Sequence, residues 1–205
     1  MPKRRLPIPL ILLVPLLLLV VVILAGVYRF SISDEEILAK FPSQAQTSDP
    51  IMLQLFSIKT PNPWVITVPE SGANAFLNSY DVEGMWASGD YHDGAERGNV
   101  QVSTRWMNAI ELNQFTTIVT VSNQGSGLFY YLVTFEYDQQ RARMVMKNSV
   151  FLGDRITVKS LQYQFDKLNL LYLEHSESQS YADLPTQKVE RSFTLSNSLE
   201  LSEVN

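Results

Sequence analysis

The sequence predicts a mainly β protein: an N-terminal transmembrane helix followed by an antiparallel β-sandwich or half-barrel domain with minor helices. Three observations carry that expectation. No side chain from residue 6 to residue 27 is charged. Beyond residue 50, runs dense in Val, Ile, Thr and aromatic residues recur with Gly, Pro, Asn or Asp between them. The turns between the later runs are short, which favours antiparallel neighbours and a meander.

The uncharged run comes first. Its 22 residues would extend about 33 Å as a helix, enough for a hydrocarbon core of about 30 Å. Lys3, Arg4 and Arg5 precede it, and Asp34, Glu35 and Glu36 follow Arg29, so charge bias places the N-terminus on the cytoplasmic side. Tyr28 and Phe30 suit the interface. Pro7 and Pro9 fall in a first turn, and Pro15 predicts a kink in mid-span. A cleaved signal peptide is the rival reading. The run is longer than the 7–15 residues usual for such a segment, and Ser31-Ile32-Ser33 is a late cleavage candidate. Leu24-Ala25-Gly26 resembles a lipid-attachment site, but Val27 stands where that chemistry needs cysteine. Domain boundaries follow: 1–33 tip and anchor, 34–50 short helix and linker, 51–205 the β-rich domain.

All 21 acidic residues but only 12 of the 16 basic ones lie beyond Ser33, so residues 34–205 carry a net charge of −9. Such a body lacks the basic stripe that phosphate binding requires, and no nucleic-acid partner is expected. The chain has no cysteine, which excludes disulfides, thiolate nucleophiles and cysteine-based zinc sites. No cofactor is expected.

Ser33 and Glu36 have capping-box spacing, predicting a helix over 33–41 that Pro42 ends. Residues 42–50 read as a stalk. Strands are predicted over 51–58 and 64–68, a short helix over 71–80, and a long acidic loop over 81–99. Further strands follow at 100–107, 115–121, 128–137, 141–152, 155–165, 168–175, 187–195 and 199–202. In the 155–165 strand, Ile156 and Val158 are apolar at even positions, Leu161, Tyr163 and Phe165 at odd ones. A bulge near Lys159-Ser160 would restore one buried face; the other solution is a strand covered on both faces.

Phe151-Leu152-Gly153-Asp154-Arg155-Ile156, Ser160-Leu161, Pro185-Thr186-Gln187-Lys188-Val189 and Phe193-x-Leu195 occur in that order. The pattern, over roughly residues 126–202, resembles a group of exported bacterial envelope proteins, many of them lipoproteins, of uncharacterised function. In those proteins cysteines often precede the Pro-Thr pair; here the segment is Tyr181-Ala182-Asp183-Leu184. The resemblance implies an envelope location and a β-rich module, and supplies no catalytic residues. With the charge bias, it implies a single-pass protein of the bacterial inner membrane with its C-terminal domain in the periplasm.

Candidate functional residues are few. Gly153-Asp154-Arg155 suits a hairpin turn, with Arg155 pairing to a carboxylate or binding a ligand. Arg191 falls on the apolar face of its strand with Val189 and Phe193: either it sits at an edge with its guanidinium reaching solvent, or it is buried, which would demand a partner, Glu174 or Asp154. Asp81, Glu83, Asp90, Asp93 and Glu96 offer oxygens on a glycine-containing loop, but at no calcium-motif spacing. His92 and His175 are the only histidines, and no nucleophile elbow accompanies them. The series Phe129, Tyr131, Val133, Phe135 and Tyr137 reads as core, with an exposed aromatic surface as the alternative; Trp64, Trp86 and Trp106 raise the same question. Two functions fit. One is a non-enzymatic accessory or binding module, with the bilayer as one partner through residues 6–27 and another envelope protein as a second. The other is an envelope hydrolase pairing a histidine with a serine or carboxylate.

Overall fold

The computed structural model describes residues 10–31 and 48–204 and divides the chain between residues 46 and 47. The first unit holds helix α1 (Leu10–Ser31), with Pro15 inside it. Its side chains are described from residue 13 to residue 27. That stretch spans about 22 Å, and among the described residues no helix is long and apolar enough to cross a membrane. The span over 6–27 therefore stays an expectation of the sequence. The predicted helix at 33–41 and all but the end of the stalk lie outside the described residues.

The second unit is built of antiparallel sheets. Its one helix among the described residues, α2 (Pro50–Phe56), corrects the strand predicted over 51–58. Asp49 accepts from the Met52 N–H at 2.8 Å, and Pro50 opens the helix, where its missing N–H costs nothing. Ile51, Met52, Leu55 and Phe56 then fall on one helical face and pack into the core. Ser57, in the left-handed conformation, ends the helix.

Strands β1 (Val65–Thr67) and β2 (Asn74–Phe76) form a small hairpin. Here the helix expected over 71–80 gives way to extended chain. Glu70 and Gly72 both take positive φ, 70° and 73°, which makes a tight turn, and Ala75 and Leu77 then alternate inward. The acidic loop expected over 81–99 is also corrected: β3 (Ser79–Asp81), β4 (Trp86–Asp93) and β5 (Glu96–Ser103) pair in succession. Then follow β6 (Asn108–Glu111), β7 (Gln114–Ser122), β8 (Leu128–Asp138) and β9 (Arg143–Asp154). The large sheet has the order β3-β4-β5-β7-β8-β9, with β6 pairing β7. A second sheet has the order β10-β11-β12-β13, formed by Thr157–Gln164, Lys167–Glu174, Gln187–Leu195 and Leu201–Val204. The register shifts between Val158 and Ser160, the bulge expected there.

Both faces of the large sheet are covered. On one, Val119, Val121, Tyr131, Val133 and Phe135 meet Trp64, Ile66, Leu77 and the apolar side of α2. On the other, Ile118 and Leu132 meet Leu161, Leu168, Leu170, Tyr172 and Phe193 of the second sheet. This explains why residues 116–121 and 131–135 are buried without alternation. The aromatic series of β8 is core, as expected, and Trp64 is completely buried between Phe56 and Phe135.

Candidate binding site

The approach to β1 is tied to the turn before β9. Thr60 Oγ1 donates to the Ala142 carbonyl at 2.6 Å, and Asn62 Nδ2 donates to the carbonyls of Arg141 and Ala142 at 3.2 and 3.0 Å. Beyond this clamp, β1 and β9 lie beside each other without pairing; β1 bonds only to β2, and β9 only to β8. A cleft of about 840 Å³ opens there. Val65 and Thr67 with their cross-strand partners Phe76 and Asn74 form one wall, and Arg143 to Met146 form the other. Phe76 is 56% exposed. Among the described residues, Arg141 and Arg143 are the only charged ones lining it. Sequence reasoning missed this site, because it arises from two segments about 80 residues apart. The local feature of the sequence at this place is Thr60-Pro61-Asn62-Pro63, between the runs 51–58 and 64–68.

The candidates taken from the sequence are not brought to one place. Gly153-Asp154-Arg155 is not a hairpin turn: it is the corner where the chain leaves the large sheet for the second one. Gly153 has φ 152°, and a Cβ there would lie 2.8 Å from Ile156 Cγ2. Asp154 accepts from the Leu128 N–H at 2.8 Å, and the Arg155 N–H donates to the Leu128 carbonyl at 2.8 Å. The Arg155 guanidinium bonds Asp154 at 2.8 Å and lies 4.5 Å from the centre of the Tyr181 ring. Burial pushes the Asp154 carboxyl up, but the Arg155 side chain and the Leu128 N–H outweigh it and hold the group below its ordinary value.

Arg191 does face the apolar side, over the Phe193 ring, but its partner is neither Glu174 nor Asp154. It grips Glu203 with two bonds of 2.7 and 2.6 Å and donates a third to the Phe151 carbonyl at 3.1 Å. This pairing raises the arginine and lowers Glu203. Glu174 instead accepts from Gln187 at 3.2 Å. These contacts are joints between elements.

Asp81, Asp90 and Glu96 serve local structure. Asp81 accepts from the Glu83 and Gly84 N–H groups, both at 3.0 Å, and Asp90 from Asn99 at 2.8 Å. Glu96 accepts from the Tyr91 hydroxyl at 3.0 Å. Burial first, then Glu96 and Asp93, pushes the Tyr91 phenol up to about 12. Burial and Glu70 likewise raise Tyr131. Among the described residues no group of His, Asp and Glu has metal-binding geometry. His92 is exposed on β4. His175 Nε2 lies 2.9 Å from the Asp183 carbonyl, with the Tyr181 ring beside it. Among the described residues, neither histidine is bonded to a serine or a carboxylate.

Comparison with protein-family models, curated proteins and solved structures found no match.

Proposed function

We propose that this chain is a membrane-anchored accessory or binding module of the bacterial envelope. Residues 6–27 hold it in the inner membrane with the N-terminus cytoplasmic, and residues 34–205 lie in the periplasm. The observation that carries the reading is the cleft between β1 and β9. It combines the exposed Phe76 and the half-buried Val65, Val145 and Met146 with two unpaired strand edges, and among the described residues its lining holds no histidine, serine or carboxylate. Unpaired edges recruit other chains, whereas catalysis needs convergent titratable groups. The uncharged run, helical from Leu10 onward, supports the anchor, and its exposed leucines and valines are suited to lipid. Tethering would raise the module's effective concentration for partners at the same surface.

The test is performed on the full chain in native membranes. A photoreactive residue replaces Phe76 at the cleft or Gln101 on β5, and the membranes are then washed with alkaline carbonate. The reading expects retention in the washed membranes and a covalent adduct specific to the Phe76 position. Release of unprocessed chain into the wash would overturn the anchor. Equal adducts at both positions, or none, would overturn the binding module.

A further inference from the structure

Two hairpin turns carry large apolar side chains that neither the core nor the turns themselves can use. In the turn between β10 and β11, Gln164 pairs with Lys167, so Phe165 and Asp166 are its two central residues. Both take positive φ, 51° and 59°. Such a turn favours Asn, Asp or Gly at both places and penalises a bulky side chain. Phe165 stands there all the same, 94% exposed. In the turn between β6 and β7, Glu111 pairs with Gln114. Asn113 supplies the positive φ, 66°, and Leu112 beside it is 87% exposed. Among the described residues these are the two most exposed large apolar side chains, followed by Leu184 at 84%.

The two tips stand together. Asn108 Nδ2 donates to the Leu161 carbonyl at 3.3 Å, so β6 lies beside β10. The Tyr163 hydroxyl donates to Asp166 at 3.1 Å. Burial first, then Asp166 and Glu111, raises the Tyr163 phenol, which places Glu111 and Asp166 around one side chain. The chain also enters the second unit at this end. The Tyr137 N–H donates to the Asn113 carbonyl at 2.8 Å, which puts the turn between β8 and β9 here as well. Thr60 and Asn62 are clamped to that turn, and the Thr60 carbonyl accepts from the Asp49 N–H at 2.7 Å. Leu184 lies elsewhere, in the loop after β11 whose Thr186 N–H donates to the Glu174 carbonyl at 3.2 Å. The length of β11, about 27 Å, separates that loop from Phe165.

We propose that this end of the second unit docks on the lipid bilayer, with Leu112 and Phe165 at the boundary of headgroups and acyl chains. The occupant is the lipid surface that residues 6–27 enter, because residues 32–47, which join that run to the second unit, lead into it at this end. Phenylalanine and leucine are side chains that interfacial segments bury at that depth. The contact is apolar. The body carries a net charge of −9, and Arg141 at this end is paired with Asp138 at 3.4 Å, so attraction to anionic lipid is not the source. Docking would hold the cleft, whose Asn62 and Arg141 belong to the same end, close to the membrane. This inference rests on the anchoring reading above.

The chain contains no cysteine, so a single fluorophore can be attached at Leu112→Cys, Phe165→Cys or Leu184→Cys. The full chain is reconstituted at low density in phosphatidylcholine vesicles that include a lipid with a nitroxide near its headgroup. Dyes at 112 and 165 should lose most of their emission to the nitroxide, and the dye at 184 should keep it. Phe165→Asn suits the turn better than phenylalanine does, so the hairpin survives it. That variant should lower the ratio of docked to undocked chains by about tenfold or more, read as recovered emission of the dye at 112. Equal quenching at all three positions, or none at 112 and 165, in a chain that resists alkaline carbonate overturns the docking and leaves the anchor standing. Release of the chain by carbonate removes both. A dye at 112 or 165 that is shielded from water only at high protein density, without quenching by the nitroxide, would assign the tips to a second copy and overturn the lipid contact.

Discussion

Asp154 shows how one side chain can fix the corner at which the chain leaves a sheet. Its carboxylate receives the Leu128 N–H from the start of β8 and the Arg155 guanidinium beside it. A carboxyl group held below its ordinary value stabilises the fold above the unfolded-state pKa, about 3.9 for aspartate. That contribution disappears as pH falls through the folded-state value. Asp154→Asn should therefore cost about 1–2 kcal/mol at pH 7, with the gap between variant and parent closing as the pH drops below about 4. Urea unfolding at a series of pH values measures this. A gap that does not change with pH would mean that the ionised carboxylate is not the source of the effect. Arg191 works in a similar way, holding β12, β13 and β9 together through Glu203 and the Phe151 carbonyl.

At the scale of elements, α2 depends on its first turn. Seven residues make a helix too short to persist alone. It persists through its Asp49 cap and because Ile51 and Met52 are buried among the strands. Asp49 is tied in further, its own N–H donating to the Thr60 carbonyl at 2.7 Å. Removing the cap with Asp49→Ala should cost about 1 kcal/mol, while Asp49→Ser should restore most of it. Thermal unfolding compares the three chains; equal stability of all of them would show that packing alone holds the helix. The same local logic explains the hairpin of β4 and β5. Its carboxylates and glycines resemble loop chemistry, yet Ala87, Tyr91, Val100 and Val102 alternate into the core.

At the scale of the whole molecule, the charges are segregated. The four basic residues before Ser33 and the acidic balance beyond it predict one orientation across the membrane. A chain without cysteine allows a direct check. Gln139→Cys, in the exposed turn before β9, should react with a membrane-impermeant maleimide in intact spheroplasts. Pro2→Cys should react only after the membrane is permeabilised. The opposite pattern would invert the proposed topology.

What the sequence settles is what depends on near neighbours. The mainly β character, the strands from β7 to β12, the core role of the β8 aromatics and the bulge in β10 all follow from period-two patterning and turn residues a few positions apart. The errors at α2, β2 and the hairpin of β4 and β5 came where capping and tertiary burial outweighed composition. Only the folded arrangement decides which strands stay unpaired, that Gly153 to Arg155 forms a corner between sheets, and that Arg191 finds Glu203. It alone brings Asn62, Val65 and Phe76 against Arg141 and Arg143. Those contacts join distant segments, and a strand's own residues do not say which neighbour its outer backbone groups will meet.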